Sequence, residues 1–269
     1  MTRWRITSNR SLEVRELLDL IICEFAKIKR QRFILFSMLA ACLFPVPLTV
    51  LVAKDRLGFE QLFRLVVTFG HFLLLPCILS VVASILFFME RDSDMLKNLI
   101  TIPVNKTKLV VAKLTVLLIV AMLYSIAGLG ATIIGGLIVG TVEGIVFKLV
   151  LSVGLGIMFF VSVLPVIILI VYFNKSYILS TIIAFIYSIF NFGIVFSMMN
   201  FAPNSVLITI LPASVIMRWW TSFWSGLTAE NAIIREPYML STPVCAGILF
   251  LIAVISILLI SITYKRQED

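Results

Sequence analysis

A chain of 269 residues that is 61% hydrophobic and only 13% charged is excluded from the water-soluble globular class, whose members carry roughly 25% charged residues. With a mean hydropathy of +1.13 it reads as an all-helical, polytopic membrane protein,. The net charge of +8 is then mostly topological, with some attraction to anionic lipid, and does not point to nucleic acid,.

The chain begins with a polar leader, residues 1–32. Within it, "SLEVRELLDLIICEFAKIKRQR" (Ser11–Arg32) predicts an amphipathic helix, with Val14, Leu17, Leu18, Ile21, Phe25 and Ile28 on one face,. Glu13, Glu16, Asp19, Glu24, Lys27 and Arg30 are expected mostly off that stripe, acidic residues early and basic ones late, as the helix dipole favours,. Such a helix lies along a membrane surface, either as a simple anchor or as a platform for a cytosolic partner. The first apolar run starts only near Phe33 and lacks an A-x-A-like end, so no cleavable signal peptide is expected,.

From residue 33 to 269 a six-span transmembrane domain is expected. Apolar runs at Phe33–Ala53, Leu65–Met89, Leu114–Val139, Leu149–Tyr172, Ile178–Met199 and Met239–Tyr264 are each long enough to cross a bilayer,. Pro45, Pro47, Pro76, Pro165 and Pro243 fall inside these runs and predict kinks or broken helices,. Gly136 and Gly140 form one GxxxG, read as close helix packing within the chain rather than as a dimer seam,. Cys23, Cys42, Cys77 and Cys245 are scattered without a CxxC pair and are expected to be small hydrophobes, neither zinc ligands nor disulfides,.

Two polar interruptions stand out. "MERDSDMLKNLITIPVNKTKLVVAK" (Met89–Lys113) carries a short amphipathic helix with Met95, Leu96, Leu99 and Ile100 on its apolar face, ended by Pro103,. Asn105 or Thr107 then starts the third span, with Lys106, Lys108 and Lys113 near the headgroups. A bare linker would not need the apolar stripe, whereas a helix that binds a groove would. The segment 200–238 is apolar but broken. Its run Val206–Met217 holds Pro212 and is too short to cross, and Trp219, Trp220 and Trp224 resemble an interfacial aromatic belt,.

Orientation follows from the basic residues. With both termini in the cytosol, sixteen of the 22 Lys and Arg residues lie on that side and six on the other, a positive-inside bias.

Glu90 at the end of a run, Leu96-x-x-Leu99-Ile100, Pro103, a polar pair and Lys113 together resemble the cytosolic coupling segment of ABC-transporter permease subunits. Glu24-Phe-x-Lys27-x-Lys-Arg30 before the first span adds to the match, which is similar to permeases of the lantibiotic-immunity and bacitracin-resistance type. The resemblance implies a permease that pairs with an identical or homologous second permease and binds two copies of a separate ABC ATPase. That partner would hold ATP and Mg, and this chain would hold no cofactor. Met95, Leu96, Leu99, Ile100 and Pro103 would carry the coupling, with Glu90 and Asp94 as polar contacts and Glu24, Lys27 and Arg30 on the interface helix. Pro212, Trp219, Trp220 and Trp224 would lie in a re-entrant segment near the external exit. Cargo would be amphipathic peptide antibiotics or lipid-like molecules, exported across a Gram-positive plasma membrane.

Other chemistry is weighed against this. No GxxxxGK(S/T) occurs, so any ATPase is another polypeptide,. An intramembrane enzyme would have to use His71, the sole histidine, with Ser80 or Ser84, but no GxSxG, no HExxH and no paired carboxylates inside a span accompany them,. An ion-coupled carrier or channel would keep ionisable groups at membrane depth, where the runs show little beyond His71, Asn191 and Asn200,. A scaffold subunit without transport is the remaining alternative.

Overall fold

A computed structural model of the chain describes residues 2–92, 106–173, 176–200, 211–224 and 239–266, and at residues 2–14, 89–92 and 199–200 the backbone alone. Among the described residues the regular structure is entirely helical. In chain order the helices are α1 (Thr2–Lys29), α2 (Arg32–Leu43), α3 (Pro45–Lys54), α4 (Phe59–Val66), α5 (Leu75–Asp92), α6 (Lys106–Val139), α7 (Ile145–Tyr172), α8 (Tyr177–Asn200), α9 (Pro212–Trp220) and α10 (Thr242–Arg266). Six helical stretches are long and apolar enough to cross a membrane: Arg32–Lys54, Phe59–Phe88, Lys106–Val139, Ile145–Tyr172, Tyr177–Met198 and Thr242–Arg266, hereafter spans 1 to 6.

Prolines shape the first two spans. Span 1 breaks at Phe44, whose N–H still donates to Ala40 while Pro45, which has no N–H to give, opens α3,. In span 2 a π-helical stretch, Val67–Leu74, joins α4 to α5, and the Leu75 N–H reaches back five residues to the Gly70 carbonyl. Pro76 follows directly, so the wider turn sits where the proline ring would otherwise crowd the preceding carbonyls. Pro165 stays inside α7, and Pro243 lies in the first turn of α10, where no helical hydrogen bond is lost,.

Spans 2, 3 and 4 make the core, and spans 1, 5 and 6 are largely exposed at the rim. Span 4 is central and packs against spans 2, 3, 5 and 6. Glycines bring span 3 close to its neighbours: a methyl at Gly135 would overlap the Thr49 hydroxyl, and one at Gly136 would overlap the Phe59 ring. Gly136 therefore packs within the chain, while nothing approaches Gly140. The four cysteines are free thiols.

Span 3 is 34 residues long, about 51 Å, well beyond a hydrocarbon core of about 30 Å. The helix α1 packs along the first turns of span 3, at Lys108 and Lys113. The face that α1 turns inward is only in part the predicted one: Leu17, Ile21 and Ile28 share it, but Leu18 and Phe25 do not. Leu17, Leu20, Ile21, Glu24, Lys27 and Ile28 point into the protein, whereas Leu18, Ile22 and Phe25 are exposed. Apolar residues surround much of this helix, so periodicity alone could not choose between two adjacent stripes. A carboxylate with a buried partner chose for it.

Candidate functional site

Glu24 is 1% exposed and Lys113, the eighth residue of span 3, is 0% exposed. Lys113 Nζ donates to Glu24 Oε2 at 2.9 Å and to the Leu86 carbonyl at 2.8 Å, near the end of span 2. It also lies 5.6 Å from the centroid of the Phe87 ring. Lys27 donates to the other carboxylate oxygen of Glu24 from one turn further along α1. One buried ammonium thus joins three helices: α1, the end of span 2 and the start of span 3.

Burial by itself would raise the Glu24 carboxyl, but Lys113 and Lys27 outweigh it and hold the group below the usual carboxylate range,. The Glu24 carboxyl is therefore ionised at neutral pH. A second pair, Lys108 to Glu16 at 2.8 Å, fixes α1 to the same part of span 3. Being exposed, it adds little to stability.

The placement of this cluster gives it meaning. Spans 2 and 3 are the two helices from which residues 93–105 depart, and Lys113 binds both of them and α1 at one point.

The predicted coupling residues Asp94, Met95, Leu96, Leu99, Ile100 and Pro103 lie outside the described residues, as does the side chain of Glu90, whose backbone is helical in α5. Arg30 is exposed in the turn after α1, whereas Lys27 joins the cluster through Glu24. Sequence reasoning set Glu24 mostly off the apolar stripe and Lys113 near the headgroups, and missed that both side chains are buried against each other. The signal was available: a lysine flanked by Val110, Val111 and Ala112 before it and Leu114 after it is an ionisable group in an apolar helix, which calls for a partner,.

At the opposite end of the bundle a second lysine, not anticipated, repeats the chemistry. Lys148 is buried at the start of span 4, donates to a carboxylate oxygen of Glu60 and to the Glu143 carbonyl at 2.9 Å, and lies 5.0 Å from the Phe59 ring centroid and 5.7 Å from that of Phe63. Phe63 in turn meets Trp220 edge-on at 5.8 Å. Trp219 donates its ring N–H to the Thr242 hydroxyl at 3.1 Å, and the Leu240 N–H bonds the Arg218 carbonyl. Pro212 is the first residue of α9 and opens that helix rather than interrupting an apolar run. Trp219 and Trp220 are buried, so they do not form a lipid-facing belt, and α9 is wedged against spans 4, 5 and 6. Trp224 is half-buried, with the Arg64 guanidinium 5.3 Å from its ring.

His71 lies in the π-helical stretch of span 2, twelve residues beyond Phe59 where the span starts. Its ring packs against Tyr124 and Phe159. The Ser80 and Ser84 hydroxyls donate to carbonyls of their own helix, at Pro76 and Ser80. No nucleophile–base pair forms among the described residues, nor do three or more His, Cys, Asp or Glu gather at one place there.

Six apolar spans with an amphipathic helix packed against them define a multi-pass, all-helical membrane protein. Residues 20–191, well over half of the chain, match the family described as ABC-2 family transporter protein, and the chain belongs to that family of ABC-transporter permeases. Membership implies an ABC ATPase as partner and membrane lipid as surroundings. The match runs from within α1 to within α8 and so includes Glu24, Leu86, Lys113 and the segment between spans 2 and 3. Comparison with curated proteins finds no significant match.

Proposed function

We propose that this permease works in an ATP-driven exporter that moves amphipathic peptide antibiotics of the lantibiotic or bacitracin kind, or similar lipid-like cargo, out of the membrane. Two such chains, or this chain and a homologous one, would enclose the path, and two ATPase copies holding ATP and Mg would drive it. The observation that carries the proposal is the Lys113 ammonium, buried against Glu24 and the Leu86 carbonyl at the root of residues 93–105.

In this scheme Met95, Leu96, Leu99, Ile100 and Pro103 seat in a groove of the ATPase, with Glu90 and Asp94 as polar contacts. Closure of the ATPases pulls on that segment, and the Glu24–Lys113 junction passes the pull to α1, span 2 and span 3 together. The excess of Lys and Arg on this side supports a cytosolic position for it and for both termini,. Cargo would leave near α9, where Trp219, Trp220 and Trp224 lie. A Gram-positive plasma membrane is the proposed location.

Vesicles containing the permease and its co-purified ATPase test this directly. ATP-dependent loss of a membrane-bound lantibiotic or bacitracin, absent without ATP, is the expected result. Cargo movement driven by a proton gradient without ATP would replace the proposal with an ion-coupled carrier. ATPase binding without any movement would indicate a scaffold subunit.

A further inference from the structure

A cavity of about 400 Å³ lies between the second half of span 1 and the last turns of span 3, at the end of the bundle away from the Lys113 junction. Cys42, Val46, Val50 and Ala53 form one wall, and Ile134 and Ile138 the other. These residues recur at one-turn intervals, so the slot runs along the helix axes, about 16 Å from Cys42 to Ala53. That is close to the hydrocarbon depth of a single leaflet, about half of 30 Å. Its floor is the close approach of Gly135 to Thr49, whose hydroxyl is already committed to the Pro45 carbonyl. The slot opens sideways, since Val50 is 65% and Ile138 73% exposed.

The mouth is basic and strained. Lys54 ends α3 next to the lining residue Ala53, and Lys54 and Arg56 are both exposed, with Asp55 between them. The Leu57 N–H bonds the Val52 carbonyl at 3.0 Å and the Arg56 N–H bonds the Ala53 carbonyl at 3.2 Å. This is a Schellman cap, in which glycine is preferred at the left-handed position. Here that position is Arg56, at φ 52. A side chain at positive φ is strained, and such strain collects at ligand clamps.

We propose that this slot is a binding site for one acyl chain of an anionic phospholipid, whose phosphate is held by Lys54 and Arg56. An apolar groove parallel to the bilayer normal matches the chain in shape and direction, and the two cations at its mouth match the headgroup in charge. In the orientation proposed above, the lipid belongs to the outer leaflet.

Native mass spectrometry of the permease purified in mild detergent, with phosphatidylglycerol or phosphatidylcholine added at equal concentration, tests the site. The wild-type chain is expected to retain phosphatidylglycerol in preference. Arg56→Gly relieves the turn and should melt no lower than wild type, yet its phosphatidylglycerol occupancy should fall about fivefold, the worth of one basic residue at an anionic lipid surface. Ala131 also lines the slot, so Ala131→Phe fills it and should lower retention of both lipids. Equal phosphatidylglycerol retention by wild type and Arg56→Gly would overturn the proposal. So would a cross-link between two copies of Ile138→Cys in membranes, because a second chain would then cover the groove.

Discussion

Lys113 Nζ stands 2.9 Å from Glu24 Oε2, with both side chains shut away from solvent, and this contact decides how α1 is mounted on the bundle. The helix turns a carboxylate inward and leaves Leu18, Ile22 and Phe25 exposed. A buried pair of this kind is weak as a source of net stability but expensive to break, because removing one partner strands the other.

Glu24→Gln is therefore expected to cost about 3–5 kcal/mol, by leaving the Lys113 ammonium buried without its counter-charge. Glu24→Leu combined with Lys113→Met should recover most of that loss, as no charge remains to be buried. Unfolding curves in lipid nanodiscs check both. If the single and double variants lose the same stability, the pair is not the junction described.

Acid should loosen the same contact. The Glu24 carboxyl is depressed when folded, so its contribution is present above its ordinary value, 4.5, and disappears as pH falls through the lower folded value,. The protection of α1 against hydrogen exchange, corrected for the intrinsic pH dependence of amide exchange, is expected to be flat from pH 7 to about 4.5 and to fall below it. In Lys113→Met, burial is opposed by Lys27 alone, and the release should move to higher pH. An unchanged release pH in that variant would refute the coupling.

The two glycines of the GxxxG should behave differently. Gly136→Val drives a side chain into Phe59 and should cost about 1–3 kcal/mol,. Gly140→Ala meets nothing within 4 Å and should be near neutral. Thermal melting of the two variants distinguishes packing inside one chain from a seam between chains, which would penalise both.

Trp220→Ala should cost about 3–5 kcal/mol, as expected for a buried tryptophan, since the residue is 3% exposed against Phe63. Trp224→Ala, half-buried and lying beside Arg64, should cost clearly less. Chemical unfolding of both variants tests whether α9 is wedged into the bundle. Equal small losses would mean that it lies at the lipid interface.

Six spans were legible because each needs only a long apolar run, which the composition makes obvious. The break at Pro45 was legible for a similar reason, since a missing N–H acts locally. The start of span 2 was missed because Glu60, Gln61 and Arg64 make Phe59–Val66 look polar, although Phe59, Leu62, Phe63 and Val66 are buried on one side. Glu24, Lys113, Glu60 and Lys148 were missed as pairs because their partners are 88 and 89 residues apart in sequence. Periodicity reports which residues share a helix face, but not which distant charge that face will meet. The tryptophans of α9 misled for the same reason, since composition cannot tell a belt facing lipid from rings packed between spans.

The central claim is that residues 93–105 join this permease to a separate ATPase. A mild-detergent pull-down of the full chain from its native membranes, in wild-type form and as Leu96→Asp and Leu99→Asp, tests it most directly. The expected result is a stoichiometric soluble protein carrying a P-loop that co-purifies with wild type and is lost from both variants, while each variant still inserts and keeps the melting behaviour of the bundle. Retention of that protein by both variants, or its absence from the wild-type sample, would contradict the claim.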